Sequence, residues 1–388
     1  MSDGDHQARA SAGGNAPKQQ NERERLIGLM GNEKHQPDRA VFTRTVDGTL
    51  LSYQLGIVEF DDQGVCQARS QMDAIADQLA RFGDDDAIII VFVHGWKHDA
   101  RDDDGNLVDF SKVLEKAVIR EAEVAQKNAR LARPVFGLFV GWRGLTLYSR
   151  HLVLEEINLS QVTFWDRQAA GLRVAVGSIR ELLGRLRQYR NQKPPGKRLL
   201  VIVGHSFGGM IIYSAVAQSL IEAAATPPGA ISTSFADLVL LVNPAIEAAR
   251  YLPVHELVKL RDLAARAEDA QHPVFICVTS SNDWATGFAF PAGNLYRLAT
   301  ERWKNVKERQ AMINTIGHIS WMKTHDLIAV GEAGTERPAL TPSADTQGVG
   351  PFWVVRASPD VINGHSDIFR PVFLEFLAER IGLHVERA

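Results

Sequence analysis

The stretch RLLVIVGHSFGGMIIYSAV, residues 198–216, decides the fold of this chain. Five consecutive Leu, Val and Ile residues lead into Gly204-His205-Ser206-Phe207-Gly208, and a second apolar run follows. Glycines have no Cβ, so they allow a sharp turn where backbones crowd. A Gly-x-Ser-x-Gly motif between a strand and a helix is the setting in which a serine hydroxyl is exposed above a sheet. The stretch therefore predicts a strand, a tight elbow and a helix, with Ser206 as a nucleophile.

The rest of the chain alternates short apolar runs with longer amphipathic ones. Most of the runs are continuously apolar, which is typical of strands covered on both faces in a parallel sheet. Repeated strand–helix–strand units predict an α/β fold with an open, mostly parallel central sheet and helices on both faces. The predicted strands are 40–46, 52–60, 87–93, 135–140, 199–203, 238–242, 274–279 and 352–356. The predicted helices are 68–82, 107–131, 165–190, 207–225, 246–270 and 369–381.

Three regions depart from this alternation. Residues 1–39 are rich in Gly, Ala, Asn, Gln and charged side chains, which predicts a flexible N-terminal tail. Residues 40–388 are expected to form one α/β domain with insertions at about 142–165 and 284–350. The second insertion is too long for a plain loop, so we expect it to contain helices or to cover the active site.

Composition excludes several classes of function. The 388 residues are 45% hydrophobic with a net charge of -3, which gives no indication of nucleic-acid binding. The two cysteines, Cys66 and Cys277, are outside any Cys/His cluster, so we expect neither a disulfide framework nor a metal. We also expect no integral membrane span and no secretory signal, and hence a cytoplasmic protein. The oligomeric state is not predicted.

An activated serine needs a base, and the base needs an acid to orient it. Ligands bind beyond the carboxyl ends of parallel strands, so the residues that follow each strand are the candidates. Asp283 follows the strand predicted at 274–279, and it is the preferred acid. Glu247, which follows the strand at 238–242, remains the alternative.

The base is expected to be a histidine that follows the acid along the chain. His365 lies after the last predicted strand, with Gly364 before it, and is preferred for that position. His318 and His325 compete with it, but both lie inside the long insertion. Position along the chain, rather than residue type, favours His365.

Acyl transfer also requires N–H donors for a developing oxyanion. One is expected from Phe207, directly after the nucleophile, and the other from Trp96 in the loop after the third strand. Gly95 would let that loop approach closely. His94 is expected to orient the loop by hydrogen bonding, and His205 to pack beside the elbow.

These motifs together resemble the α/β-hydrolase superfamily, of the serine esterase and lipase type. The resemblance covers about residues 41–385 and depends on His94-Gly95-Trp96, the Ser206 motif, Asp283 and His365. It implies hydrolysis of a carboxylic ester through an acyl-enzyme on Ser206, without metal or cofactor.

The expected partner is a small-molecule ester or lipid, neutral and apolar, since no basic patch suggests a charged substrate. Trp284 and Phe288 in the aromatic insertion are the expected walls of the acyl pocket. An amide or thioester substrate, or a non-catalytic scaffold that binds a partner, are the alternatives.

Overall fold

The structure is a computed structural model. It describes residues 40–95, 98, 100–142, 159–227, 234–264, 272–294, 300–332, 334–343 and 350–386, with only the backbone at 159–167, 262–264 and 386. The tail predicted at 1–39, the candidate oxyanion donor Trp96 and most of the insertion predicted at 142–165 lie outside these residues.

Ten strands within the described ranges form one sheet in the order β1-β2-β4-β3-β5-β6-β7-β10-β8-β9. Their bounds are β1 Val41–Thr45, β2 Ser52–Phe60, β3 Ile88–Val93, β4 Val135–Trp142, β5 Leu199–His205, β6 Leu238–Val242, β7 Phe275–Ser280, β8 His325–Val330, β9 Arg337–Pro342 and β10 Phe352–Ala357. The inner pairings are all parallel. Only the edge pairings, β1 with β2 and β8 with β9, are antiparallel. The predicted mostly parallel α/β sheet is confirmed.

Helices cover both faces of the sheet. The α-helices are α1 Arg69–Arg81, α2 Gly105–Lys127, α3 Leu159–Val176, α4 Ile179–Asn191, α5 Phe207–Ala225, α6 Leu252–Ala264, α7 Phe290–Asn294, α8 Val306–Ile313 and α9 Pro371–Glu386. A π-helix spans Ala285–Ala289, and 3₁₀ turns span Ala248–Tyr251, Ile316–His318 and Ser320–Met322.

Alternate residues of the inner strands enter two separate hydrophobic clusters. In β5, Leu200 and Ile202 pack with α1, α4 and α5, whereas Val201 and Val203 pack with α2 and α9. Because strands β3 to β7 and β10 are buried on both faces, their sequences are apolar at nearly every position. This burial is the physical reason that the continuous apolar runs in the sequence predict these strands.

The single helix predicted at 165–190 is wrong, because the structure has two helices, α3 and α4. The break lies at Gly177, where a Cβ would be 2.2 Å from the carbonyl oxygen of Gly64. The Ser178 N–H also donates to that carbonyl at 2.7 Å instead of to its own helix. A contact with a distant loop therefore interrupts an otherwise helical pattern.

The helix predicted at 246–270 is also different in the structure. A 3₁₀ turn, Ala248–Tyr251, comes first, and α6 then spans Leu252–Ala264. Pro253 lies in the first turn of α6, where the missing N–H of proline costs no helical hydrogen bond. Residues 265–271 lie outside the described ranges.

The long segment between β7 and β10 contains helices, as expected, but also a β-hairpin that the sequence analysis did not predict. Strands β8 and β9 pair antiparallel from His325↔Pro342 to Val330↔Arg337, and β8 joins the sheet beside β10. Part of this segment thus extends the sheet.

One described helix, α5, is long and apolar enough to cross a membrane, with a mean hydropathy of 1.3. It is 67% buried inside the protein, however, and it packs directly behind the elbow. Its apolar character is explained by its place in the core.

Candidate active site

Ser206 lies at the corner between β5 and α5, beyond the carboxyl end of the strand. Its backbone has φ 54° and ψ -117°, a conformation that residues other than glycine seldom adopt. The corner is held by the backbone: the Ser206 N–H donates to Val242 at 3.0 Å, and its carbonyl accepts from Ala245 at 3.1 Å. The neighbouring strand β6 therefore fixes the strained position of the serine.

The glycines around the corner are required by close packing. A Cβ at Gly208 would lie 2.1 Å from the carbonyl oxygen of Val93, and one at Gly204 would lie 2.8 Å from that of Gly208. A Cβ at Gly95 would lie 3.0 Å from the Ser206 Cβ. The expectation that these positions need glycine is confirmed.

The structure brings Ser206, His365 and Asp283 into one hydrogen-bonded chain. His365 Nε2 lies 2.8 Å from Ser206 Oγ, and His365 Nδ1 lies 2.8 Å from Asp283 Oδ2. A carboxylate only accepts hydrogen bonds, so in the neutral ring Nδ1 carries the proton and Nε2 is the acceptor. In this tautomer Nε2 can take the proton of the serine hydroxyl.

Asp283 is buried, with 2% of its surface exposed, yet its carboxylate is well supplied with donors. Oδ1 accepts from the N–H groups of Ala285 and Thr286, and Oδ2 accepts from the Thr286 hydroxyl as well as from His365. Burial alone would raise the pKa of Asp283, but the hydrogen bonds and charge of His365 and the bonds from Thr286 lower it below its usual value. The carboxylate is thus kept ionised beside the imidazole.

The loop that carries His365 is tied to the ends of β6 and β7. The Asn243 amide donates to the carbonyl oxygens of Gly364 and His365, at 3.1 and 2.9 Å. Asn282 Oδ1 accepts from the Gly364 N–H at 2.7 Å, and Gly364 itself has φ 73°. These bonds fix the backbone from which the imidazole extends.

His205 supports the same carbonyl from the elbow. Its Nε2 donates to the His365 carbonyl oxygen at 2.9 Å. Complete burial and the charge of His365 lower the pKa of His205 to about 3, so its ring is neutral at ordinary pH. The sequence predicted a packing residue here, and the structure adds a hydrogen bond to the backbone of His365.

The expected oxyanion loop follows β3 and lies against the elbow. His94 Nδ1 donates to the Gly95 carbonyl at 2.7 Å, and His94 Nε2 accepts from the Trp142 N–H at 3.1 Å. Both ring nitrogens are therefore used to orient the loop, as expected. Phe207 is the first residue of α5, so its N–H lies at the positive end of the helix dipole.

The alternative acid and bases make other contacts. Glu247 is buried and accepts from Gln168 Nε2 at 3.4 Å. His325 lies in β8 with its ring centroid 4.6 Å from that of Trp353, and burial lowers its pKa to about 4. His318 lies closer to the proposed acid, with Nε2 3.1 Å from Thr286 Oγ1.

Trp284 and Phe288 begin the segment that directly follows Asp283. Their side chains are 67% and 62% exposed, and their rings stack with centroids 5.6 Å apart. Large apolar side chains in such exposure are available to contact a ligand. Within the described ranges no group of three or more His, Cys, Asp or Glu side chains could hold a metal ion.

Sequence reasoning missed Asn243 and Thr286 as parts of this site. Asn243 directly follows β6 and has φ 45°. In the sequence, the one indication of its role is an Asn-Pro pair at the carboxyl end of a predicted strand. Thr286 lies three residues after Asp283, a spacing that suits a capping hydrogen bond. Neither signal is specific without the fold.

No protein-family model and no curated protein sequence matches the chain. Among solved structures, the chain is similar to esterase B from Lactobacillus rhamnosis, with 11% identity over 96% of this chain and 92% of that one, at a TM-score of 0.25. It is similar to Zea mays acyl-protein thioesterase 2, with 11% identity over 78% and 96% of the two chains and a TM-score of 0.29. It is also similar to phospholipase PlaB from Legionella pneumophila, with 12% identity over 76% of this chain and 60% of that one, at a TM-score of 0.28.

The features that define the fold are those of the chain itself. The parallel inner sheet, the helices on both faces and the strand–serine–helix elbow at its carboxyl edge occur together. Asp283 and His365 follow Ser206 along the chain in the order expected for this architecture. The chain has the α/β-hydrolase fold.

Proposed function

We propose that this protein is a serine hydrolase that cleaves carboxylic esters through an acyl-enzyme on Ser206. The observation that supports the proposal is the pair of 2.8 Å hydrogen bonds that link Ser206 Oγ to His365 and His365 to Asp283. A strained elbow alone could have a structural role, but a complete acid–base–nucleophile chain is the arrangement that acyl transfer requires.

In the proposed reaction, His365 Nε2 removes the proton from Ser206 as Oγ attacks the ester carbonyl. Asp283 stabilises the resulting imidazolium through Nδ1 and does not itself take the proton. The oxyanion is directed towards the N–H of Phe207, with Trp96 as the proposed second donor. The imidazolium then protonates the departing alcohol, and a water molecule activated by the same ring hydrolyses the acyl-enzyme.

The proposed substrate is a neutral ester with an apolar acyl group, including lipid esters. Trp284 and Phe288 are the proposed contacts for the acyl chain because they are exposed and directly follow the acid. The two cysteines are free and buried, which suits a reducing compartment, and the cytoplasm remains the proposed location.

The proposal is tested with p-nitrophenyl esters and a fluorophosphonate probe. The wild-type protein is expected to hydrolyse the esters and to carry the label on Ser206. Ser206→Ala should lose the label and at least about a thousandfold in kcat/KM. Turnover without any effect of this substitution would contradict the proposal.

The same assay separates the other candidates. Asp283→Asn should lower kcat strongly because it removes the acceptor that fixes the His365 tautomer, whereas Glu247→Gln should not. A labelled Ser206 without ester turnover would favour an amide or thioester. Absence of both label and turnover would favour a non-catalytic scaffold.

A further inference from the structure

A second histidine is connected to the triad acid through a threonine hydroxyl. Thr286 Oγ1 lies 2.5 Å from Asp283 Oδ2 and 3.1 Å from His318 Nε2. The carboxylate accepts, so the single hydroxyl proton of Thr286 points towards Asp283. His318 Nε2 must therefore donate its N–H to the threonine oxygen.

The surroundings of His318 agree with this neutral, donating tautomer. Burial and the positive charge of Arg356 on β10 lower the pKa of His318, while the negative charge of Asp283 after β7 opposes them. The Arg356 guanidinium is held by the Gly317 carbonyl oxygen, directly before the histidine. The ring is thus neutral at ordinary pH and can supply one N–H to Thr286.

Two glycines make room for this contact. A Cβ at Gly287 would lie 2.8 Å from the His318 ring, and a Cβ at Gly317 would lie 1.9 Å from Thr279 Oγ1. The first glycine lets the imidazole reach the turn that carries Thr286. The second lets the 3₁₀ turn Ile316–His318 pack against the end of β7. The close approach of His318 to the acid is therefore built into the backbone on both sides.

We propose that His318 is a positioning residue of the triad, which acts on Asp283 through Thr286 and so sets the orientation and basicity of His365. This inference depends on the proposed function and deepens it. A hydrogen bond received by the threonine oxygen polarises its O–H and makes it a stronger donor to the carboxylate. The negative charge of the Asp283 carboxylate is then compensated more fully, and the carboxylate is held in one orientation towards His365 Nδ1.

Two pairs of variants test the network. His318→Phe keeps an aromatic ring without the donor, and His318→Gln restores an N–H; Thr286→Val removes the hydroxyl, and Thr286→Ser restores it. His318→Phe and Thr286→Val should each lower kcat by about threefold to tenfold, the effect of one hydrogen bond, with little change in KM. Both substitutions should also move the acidic limb of the pH profile of kcat/KM to higher pH. Without the hydrogen bond from Thr286 at full strength, the Asp283 carboxylate is more basic and stabilises the His365 imidazolium better. His318→Gln and Thr286→Ser should recover most of both effects.

Gly287→Ala and His255→Phe complete the set. Gly287→Ala displaces the His318 ring without altering it and should reproduce the His318→Phe profile. His255 lies in α6, half-buried against Trp321, so its substitution controls for loss of a histidine and should leave the pH profile of kcat/KM unchanged. A purely structural role for His318 would lower stability without moving the acidic limb, and that result would overturn the proposal.

A measurement that does not depend on enzyme turnover separates this inference from the proposed function. The low-field ¹H NMR resonance of the His365–Asp283 proton, assigned by its loss in His365→Ala, should move further downfield in His318→Phe. An unmoved resonance would overturn the inference even in an active enzyme. A moved resonance in a protein with no labelled Ser206 and no ester turnover would retain the network but remove the hydrolase function.

Discussion

The side chain of His205 is hydrogen-bonded to the backbone of His365. The ring of His205 donates to the carbonyl oxygen of His365 at 2.9 Å, and the two ring centroids are 5.2 Å apart. The residue beside the proposed nucleophile, Ser206, thus holds the loop of the proposed base. Asn243 donates to the same carbonyl oxygen at 2.9 Å, so the loop is fixed from both sides.

Substitution of Asn243 tests whether this loop must be fixed. Asn243→Gly suits the positive φ of 45° but removes both hydrogen bonds to the loop, so kcat should fall by about tenfold. Asn243→Ala removes the same bonds and adds backbone strain, so it should also lower the free energy of unfolding by about 1 kcal/mol relative to Asn243→Gly. Ester kinetics and urea unfolding measure the two effects. Full activity in Asn243→Gly would show that the bonds do not position His365.

The burial of His205 predicts a dependence of stability on pH. The pKa of His205 is lowered from 6.5 to about 3 in the folded protein. At a pH between these two pKa values, the unfolded state therefore binds one more proton than the folded state. The contribution of His205 to stability is therefore complete above the unfolded pKa and is lost as the pH falls towards the folded one. Urea unfolding between about pH 4 and pH 6 should show this slope, and His205→Gln should reduce it by about one proton. An unchanged slope would contradict the assignment of a neutral buried ring.

The strain at Ser206 predicts a gain in stability when the serine is lost. Ser206→Gly should raise the free energy of unfolding by about 1 kcal/mol, because glycine adopts φ 54° without a Cβ penalty. Ser206→Ala keeps the Cβ and is the matched control, which should show no such gain. Both variants are expected to be inactive. Equal stability of the two variants in thermal unfolding would mean that the elbow is not strained.

The exposed aromatic pair predicts a preference among acyl chain lengths. Trp284→Ala and Phe288→Ala should raise KM by about tenfold for an octanoate ester and less than about twofold for an acetate, since each CH₂ buried contributes about 0.8 kcal/mol. Leu131→Ala, at a 93% exposed position before β4, removes an apolar side chain from the amino edge of the sheet and controls for surface effects. Equal changes for both esters would exclude these rings from the acyl site.

Strands β3 to β7 and β10 and the elbow could be predicted because burial on both faces leaves a continuous run of apolar residues in the sequence, whereas the partly exposed strands β8 and β9 leave no such run and were missed. Asp283 and His365 could be selected because each follows a strand at the edge where Ser206 lies, although their catalytic roles remain predictions. The break at Gly177 could not be predicted, because it depends on contact with Gly64, over a hundred positions away in sequence. The contacts of Thr286 and His318 likewise exist only after the segment beyond β7 has packed.

The hairpin β8–β9 has a consequence for the outer rim of the sheet. Strand β9 reads Arg337-Pro-Ala-Leu-Thr-Pro and forms one margin of the sheet. Proline has no N–H, and in sheets it is tolerated where its nitrogen faces away from the ladder. Pro338 and Pro342 are four residues apart and share one orientation, so this margin lacks two of the N–H donors that an incoming strand would need. A margin with fewer N–H donors is a poorer template for pairing with a further chain.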